Sequence, residues 1–258
     1  MRYVDLSTTI SPSGPEVPEF LRTEIAYSDH QAGAAQIQAL FGIGPELLRD
    51  GEGWATEEFR RFGTHNSTHL DAPWHYNSTI GGEPARTIDQ LPLDWFHAPG
   101  LMLDFQAKVD GDAITTADLE DELARVGHRL RPRDIVLLRT GRDRFYAEPD
   151  YMARGPGVTP QATRYLHEHG VRVMGIDAWG WDRPLYLQAE EAKAAGEAGI
   201  FWAAHQAGLE YCQIERLVNL GAVPHTGFHL ACFPLKLAGA SGAPARVVAL
   251  VPEAAEPA

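Results

Sequence analysis

"HNSTHLDAPWH", residues 65–75, places three histidines and an aspartate in one short, turn-rich stretch. His69 and Asp71 are two positions apart. In an extended chain they project to the same side, with Cα atoms ~7 Å apart, whereas a helix would send them to nearly opposite faces. An extended segment is therefore expected here. His65 precedes His69 by four residues. In a straight strand that gap would be ~13 Å, too long for one ion with bonds of ~2 Å. The chain must turn between them, and Asn66-Ser67 is suitable turn chemistry. His65, His69 and Asp71 then form three ligands around one ion, with positions left open for water and substrate. Two imidazoles and a carboxylate suit Zn²⁺, Mn²⁺ or Fe²⁺. Beyond Pro73, which redirects the backbone, His75 is an imidazole able to carry a proton rather than a required ligand. The competing reading is chance clustering in a chain of 11 histidines. His167 and His169 in "LHEHG" fit that reading, because a helix C-terminus favours partial positive charge.

Outward from this stretch, short apolar runs read as strands: "RYVDLS" at the start, "LMLDF" from Leu101, "DIVLLRT" from Asp134 and "VRVMGID" from Val171. "FHLACFPLKL" from Phe228 and "ARVVALV" from Ala245 follow. The near-continuous apolar character of "DIVLLRT" and "VRVMGID" suits strands buried on both faces. Between them, "TTADLEDELARVG" ends on Gly127, and "TPQATRYLHEHG" offers Thr159 as N-cap, Pro160 at the first helical position and Gly170 as C-cap. "QAEEAKAAGEAGIFWAAHQAG" reads as helical in part, weakened by Gly196 and Gly199, and "PELLRDG" as a short helix. The class is α/β, in one domain over residues 1–258. Strands and helices do not alternate strictly, so a plain doubly wound sheet is not implied. The Pro- and Gly-rich first 100 residues are the kind of loop region that holds chemistry.

The net charge of −13, from 22 Lys+Arg against 35 Asp+Glu, disfavours nucleic acid and anionic membrane as partners. Cys212 and Cys232 are the only cysteines, too few for a disulfide framework. The opening "MRYVDLSTTISPSG" lacks the apolar core of a signal peptide. No apolar run approaches the ~20 residues of a membrane helix. A cytoplasmic protein is expected, with a frayed "PEAAEPA" tail.

"HNSTHLDAPWH" resembles the HxGTHxDxPxH signature of the metal-dependent cyclase/hydrolase family, which includes kynurenine formamidases, isatin hydrolases and aromatic polyketide cyclases. "YVDLSTTIS", "GPGVTPQATRYLHEHGVRVMGIDAWGWDRP" and "CFPLKLAGASGAPARVVAL" resemble the family's opening, middle and final segments. The resemblance implies a swivelling β/β/α fold, a mixed sheet with flanking helices, assembled as a homodimer or larger homo-oligomer. It implies that His65, His69 and Asp71 bind a divalent metal, Mn or Zn, and that His75 donates and accepts the proton. Members with a second metal position add a later His and Glu, matched here by His205 and Glu215 in "AAHQAGLEYCQIERLVNL". The motif's Gly is Ser67 here, where a positive φ would cost more. The spacing from His205 to Glu215 is slightly short for the family. Where kynurenine formamidases carry a substrate-stacking Trp, "SPSGPEVPEF" has Val17, which argues against formylkynurenine. "GVRVMGIDAWGWDRP" and "EYCQIERLVNL" look closer to isatin hydrolases.

The leading expectation is a hydrolase opening a cyclic or formyl amide of a small aromatic substrate, with Trp74, Trp179 and Trp181 near the site. An aromatic polyketide cyclase would use the same polarised carbonyl for ring closure. A non-catalytic metal-binding protein could dispense with His75.

Overall fold

The strand that begins at His69 lies second from one edge of a nine-stranded mixed sheet. The computed structural model describes residues 1–15 and 17–253, so residues 254–258 of the "PEAAEPA" tail lie outside the described residues. Contacts divide the chain into two compact units, residues 1–9 with 67 onward, and residues 10–66.

The first unit contains the sheet. In chain order its strands are β1 (Arg2–Asp5), β2 (His69–Asp71), β3 (His97–Asp104), β4 (Ile135–Arg139), β5 (Val173–Ile176), β6 (Cys212–Glu215), β7 (Phe228–Ala231), β8 (Gly242–Pro244) and β9 (Val248–Val251). The spatial order is β1-β9-β7-β3-β4-β5-β6-β2-β8. β3, β4, β5 and β6 run parallel, and the other pairings are antiparallel. Both faces of the centre are covered, as the apolar runs predicted. On β4, Ile135 and Leu137 face one core cluster and Val136 and Leu138 the other. The alternation follows from the two-residue period of a strand.

Helices α1 (Thr116–Val126) and α2 (Pro160–Glu168) pack on the second face through Leu119, Leu123, Ala162 and Leu166. A reciprocal capping box between Thr115 and Asp118 starts α1, and left-handed Gly127 ends it. Thr159 caps α2 as expected, but the C-cap is His169, with left-handed Gly170 one residue later. Helix α3 (Leu185–Ala195) stops at Gly196, whose φ of 67° is left-handed. The long Ala-rich segment is thus helical in part, as expected, with the break at Gly196. Residues 201–207 form successive turns. "FHLACFPLKL" is a strand only over β7, because Pro234 makes a single bridge to Ala245.

The second unit pairs Glu24–Ser28 with Thr56–Arg61 in antiparallel fashion beside the helix His30–Phe41. Asp29 caps that helix by accepting from Ala32 N at 2.9 Å. "PELLRDG" forms two short helical pieces of 3-10 type, Pro45–Leu47 and Arg49–Gly51.

Candidate metal centre

Strand geometry assembles the centre from distant parts of the chain. His69 and Asp71 are i and i+2 on β2, so both side chains leave the same face. β6 pairs with β2 so that Glu215 lies opposite His69 and Gln213 opposite Asp71. The register therefore puts a third ligand type beside the first two. One ligand atom from each of His69, Asp71 and Glu215 lies within 4.8 Å of the others, and all three residues are buried. His69 Nε2 is 3.1 Å from Asp71 Oδ1 and 3.7 Å from Glu215 Oε2.

His205 reaches the same carboxylates from a turn. Its Nε2 is 3.7 Å from Asp71 Oδ2 and 3.3 Å from Glu215 Oε1. The sequence placed this residue in a helix-then-strand segment. Gly196 ends the helix first, so turn geometry delivers the imidazole.

The opposite edge of each imidazole is anchored. His69 Nδ1 donates to Ser67 O at 2.7 Å. A carbonyl can only accept, so Nδ1 carries a proton and Nε2 is the atom turned toward the carboxylates. His205 Nδ1 lies 2.5 Å from Asp182 Oδ2. Asp182 in turn accepts from Ala204 N and His205 N, each at 3.0 Å. This is the carboxylate–imidazole arrangement that orients metal-binding histidines. Glu215 Oε1 accepts from Trp181 N at 2.9 Å. Ser67 has no positive φ, so serine replaces glycine there without backbone strain.

Entry to β2 is fixed by reciprocal bonds between Thr8 and Thr68, at 2.8 Å and 2.9 Å. Aromatic rings enclose the other side. Trp202 stacks on His205 with centroids 4.6 Å apart, and Tyr76 lies 5.8 Å from the same ring. Trp202 has a left-handed φ of 60°, and its N–H donates to Gln188 Oε1 on α3 at 2.8 Å. Buried Tyr76 donates to Tyr211 O.

His75 sits in the helical turn Pro73–Tyr76 and is partly buried. A ligand atom of His75 lies within 4.8 Å of one of Asp71. Its ring is 6.1 Å from His205 and 5.1 Å from Trp202. His65 lies in the turn that closes the second unit. Of the three tryptophans expected near the site, Trp181 is fully buried, while Trp74 is 43% exposed.

The donor set fits a divalent cation. Asp71, Asp182 and Glu215 bury three carboxyl groups together, and buried negative charge requires a counter-charge. Burial opposes the charged form of His205, but Asp182, Asp71 and Glu215 outweigh it and push its pKa well up. The site thus demands positive charge, and mixed imidazole and carboxylate donors suit Zn²⁺ or Mn²⁺.

The family model described as "Putative cyclase" matches residues 4–183. The chain belongs to the cyclase family. This cyclase-family chain is 28% identical over 202 residues to isatin hydrolase from Roseibium aggregatum, covering 74% of the chain and 73% of that relative. It is 29% identical over 185 residues to kynurenine formamidase from Geobacillus thermodenitrificans, covering 71% and 74%. Its fold matches isatin hydrolase A from Labrenzia aggregata, solved bound to benzyl benzoate. The TM-score is 0.73 and the identity 26%, over 98% of this chain and 94% of that one.

Sequence reasoning missed Asp182, Gln188 and Trp202. Asp182 had one visible signal, an acid between two tryptophans and a proline in "WGWDRP". Trp202 and Gln188 had none, because their roles depend on the turn after α3. Cys212 and Cys232 are buried, which pushes both thiols up and leaves them inert packing groups.

Proposed function

We propose that the chain is a metal-dependent hydrolase that opens a cyclic or formyl amide of an aromatic compound. The observation that carries this reading is the convergence of His69, Asp71, His205 and Glu215, with both imidazole Nδ1 atoms anchored and His75 alongside. His69, Asp71, His205 and Glu215 would hold the cation, with His65 as the ligand supplied from the turn before β2. Mn²⁺ and Zn²⁺ both suit this set, as one ion or two. When bound, the cation supplies Lewis acidity for the amide carbonyl and lowers the pKa of water.

The chain's own residues do the rest. Asp182 holds His205, and the Ser67 carbonyl holds His69, so neither ring must reorganise during the reaction. His75 takes a proton from the attacking water and returns it to the departing nitrogen, which leaves as an amine while the acyl carbon becomes a carboxylate. Partly exposed Trp202 gives one side of the site an aromatic surface suited to a flat substrate. The resemblance to isatin hydrolases and kynurenine formamidases supports the same substrate class. Among the described residues no helix is long and apolar enough to cross a membrane. A cytoplasmic site of action is part of the proposal. A homo-oligomer is proposed from the family resemblance.

The test is isatin absorbance with Mn²⁺-loaded protein and a chelator control. Chelator-sensitive loss of the chromophore is expected. Stable absorbance in protein shown to hold metal would exclude isatin and favour ring closure, or another amide or lactone.

A further inference from the structure

Arg216 directly follows the candidate ligand Glu215 and is only 5% exposed. Arginine stays charged in proteins, and a buried guanidinium is ordinarily met by carboxylates or carbonyls. Arg142, 7% exposed, shows this: its Nε donates to Asp110 at 2.8 Å, Nη1 to Thr140 O at 2.7 Å and Nη2 to Lys108 O at 2.8 Å. Arg216 is different. Its Nε makes one long bond to Trp179 O at 3.4 Å, and its Cζ lies 4.9 Å from the Trp179 ring centroid. Among the described residues, its two Nη groups meet no acceptor and no carboxylate.

The backbone is fixed around this side chain. Arg216 has a left-handed φ of 59°, which breaks the alternation at the end of β6. Its N–H donates to Ala178 O at 3.1 Å, and its carbonyl accepts from Thr68 Oγ1 at 2.7 Å. A bulky residue held in that region is strained, and such strain collects at functional sites. The guanidinium lies against the loop whose Trp181 N–H holds Glu215. A forked cation over a half-buried indole, in the residue next to the candidate ligand Glu215, matches a planar aromatic acid. The ring would lie along Trp179 and the carboxylate would receive two parallel Nη–H bonds.

We infer that Arg216 and Trp179 form a recognition site for an aromatic carboxylate. It follows that the enzyme favours substrates whose ring-opened form presents a carboxylate to Arg216. The inference rests on the amide-hydrolase reading above and names the ligand class of that same site.

The experiment measures benzoate and benzamide binding by calorimetry to Mn²⁺-loaded wild type, Arg216→Lys and Arg216→Met. Wild type is expected to prefer benzoate. Arg216→Met is expected to weaken benzoate by about ten- to a hundredfold, the scale of lost charge-assisted hydrogen bonds, and to leave benzamide unchanged. Arg216→Lys is expected to fall between. Equal losses for both ligands, or no loss, would overturn the inference. Should Arg216→Met fail to fold, a wild-type crystal with benzoate decides: a carboxylate on the Arg216 Nη groups supports it, and one seated elsewhere overturns it. Isatin turnover is read separately, so a protein inert toward isatin can still discriminate benzoate, and an isatin hydrolase can still fail to.

Discussion

Asp182 contributes to the centre through His205. It receives the Nδ1 proton of His205 and two backbone N–H bonds from Ala204 and His205. The Asp182→Asn variant retains the size but loses the charge that fixes the ring. Mn²⁺ affinity measured by calorimetry is expected to fall by about ten- to a hundredfold. Unchanged affinity would make Asp182 a packing residue only. His75 is a separate case. If it carries the proton, His75→Ala holds Mn²⁺ as tightly as wild type while turnover of an aromatic amide falls by about 10²- to 10⁴-fold. Parallel loss of metal would make it a ligand instead. Both results come from one titration and one rate measurement on each variant.

At the scale of elements, the centre depends on strand register and on one tightly packed loop. A one-residue slip of β6 against β2 would turn Glu215 away from His69. The loop carrying Trp181 and Asp182 is held against the short strand Gly157–Val158, where Val158 N donates to Trp181 O at 2.8 Å. A Cβ on Gly157 would run into the backbone at Asp182 and Arg183. Gly157→Ala is therefore expected to cost about 1–3 kcal/mol in urea unfolding, the usual scale of overpacking. Mn²⁺ affinity should fall with it, because the displaced backbone carries Asp182. Destabilisation with intact affinity would show that the loop can shift without moving His205.

Across the whole molecule, Asp177 couples the ends of two central parallel strands. Lying just past β5, it accepts from Thr140 N and Thr140 Oγ1, both at 2.6 Å, and from Gly141 N at 2.8 Å, just past β4. Burial nevertheless pushes its pKa up to about 6. A folded value above the unfolded value of about 3.9 means that the native state holds this proton more tightly. The contribution is fully present below about pH 4 and is lost as pH rises through about 6, on the order of 3 kcal/mol across that window. The difference in unfolding free energy between wild type and Asp177→Asn should therefore shrink from pH 4 to pH 7. A difference independent of pH would mean that Asp177 is ionised throughout. The ligand pair His69 and Asp71, the turn before them, the caps of α1 and α2 and the buried central strands were all legible in the sequence. Each depends on two-residue or helical periodicity and on local turn and cap chemistry, which neighbouring residues specify. The tertiary structure alone decided that Glu215 faces His69, that His205 arrives from a turn, that Asp182 anchors it, and that Arg216 is buried on Trp179. Those facts arise from pairings between strands and loops far apart in the chain, and local spacing carries no information about such registers.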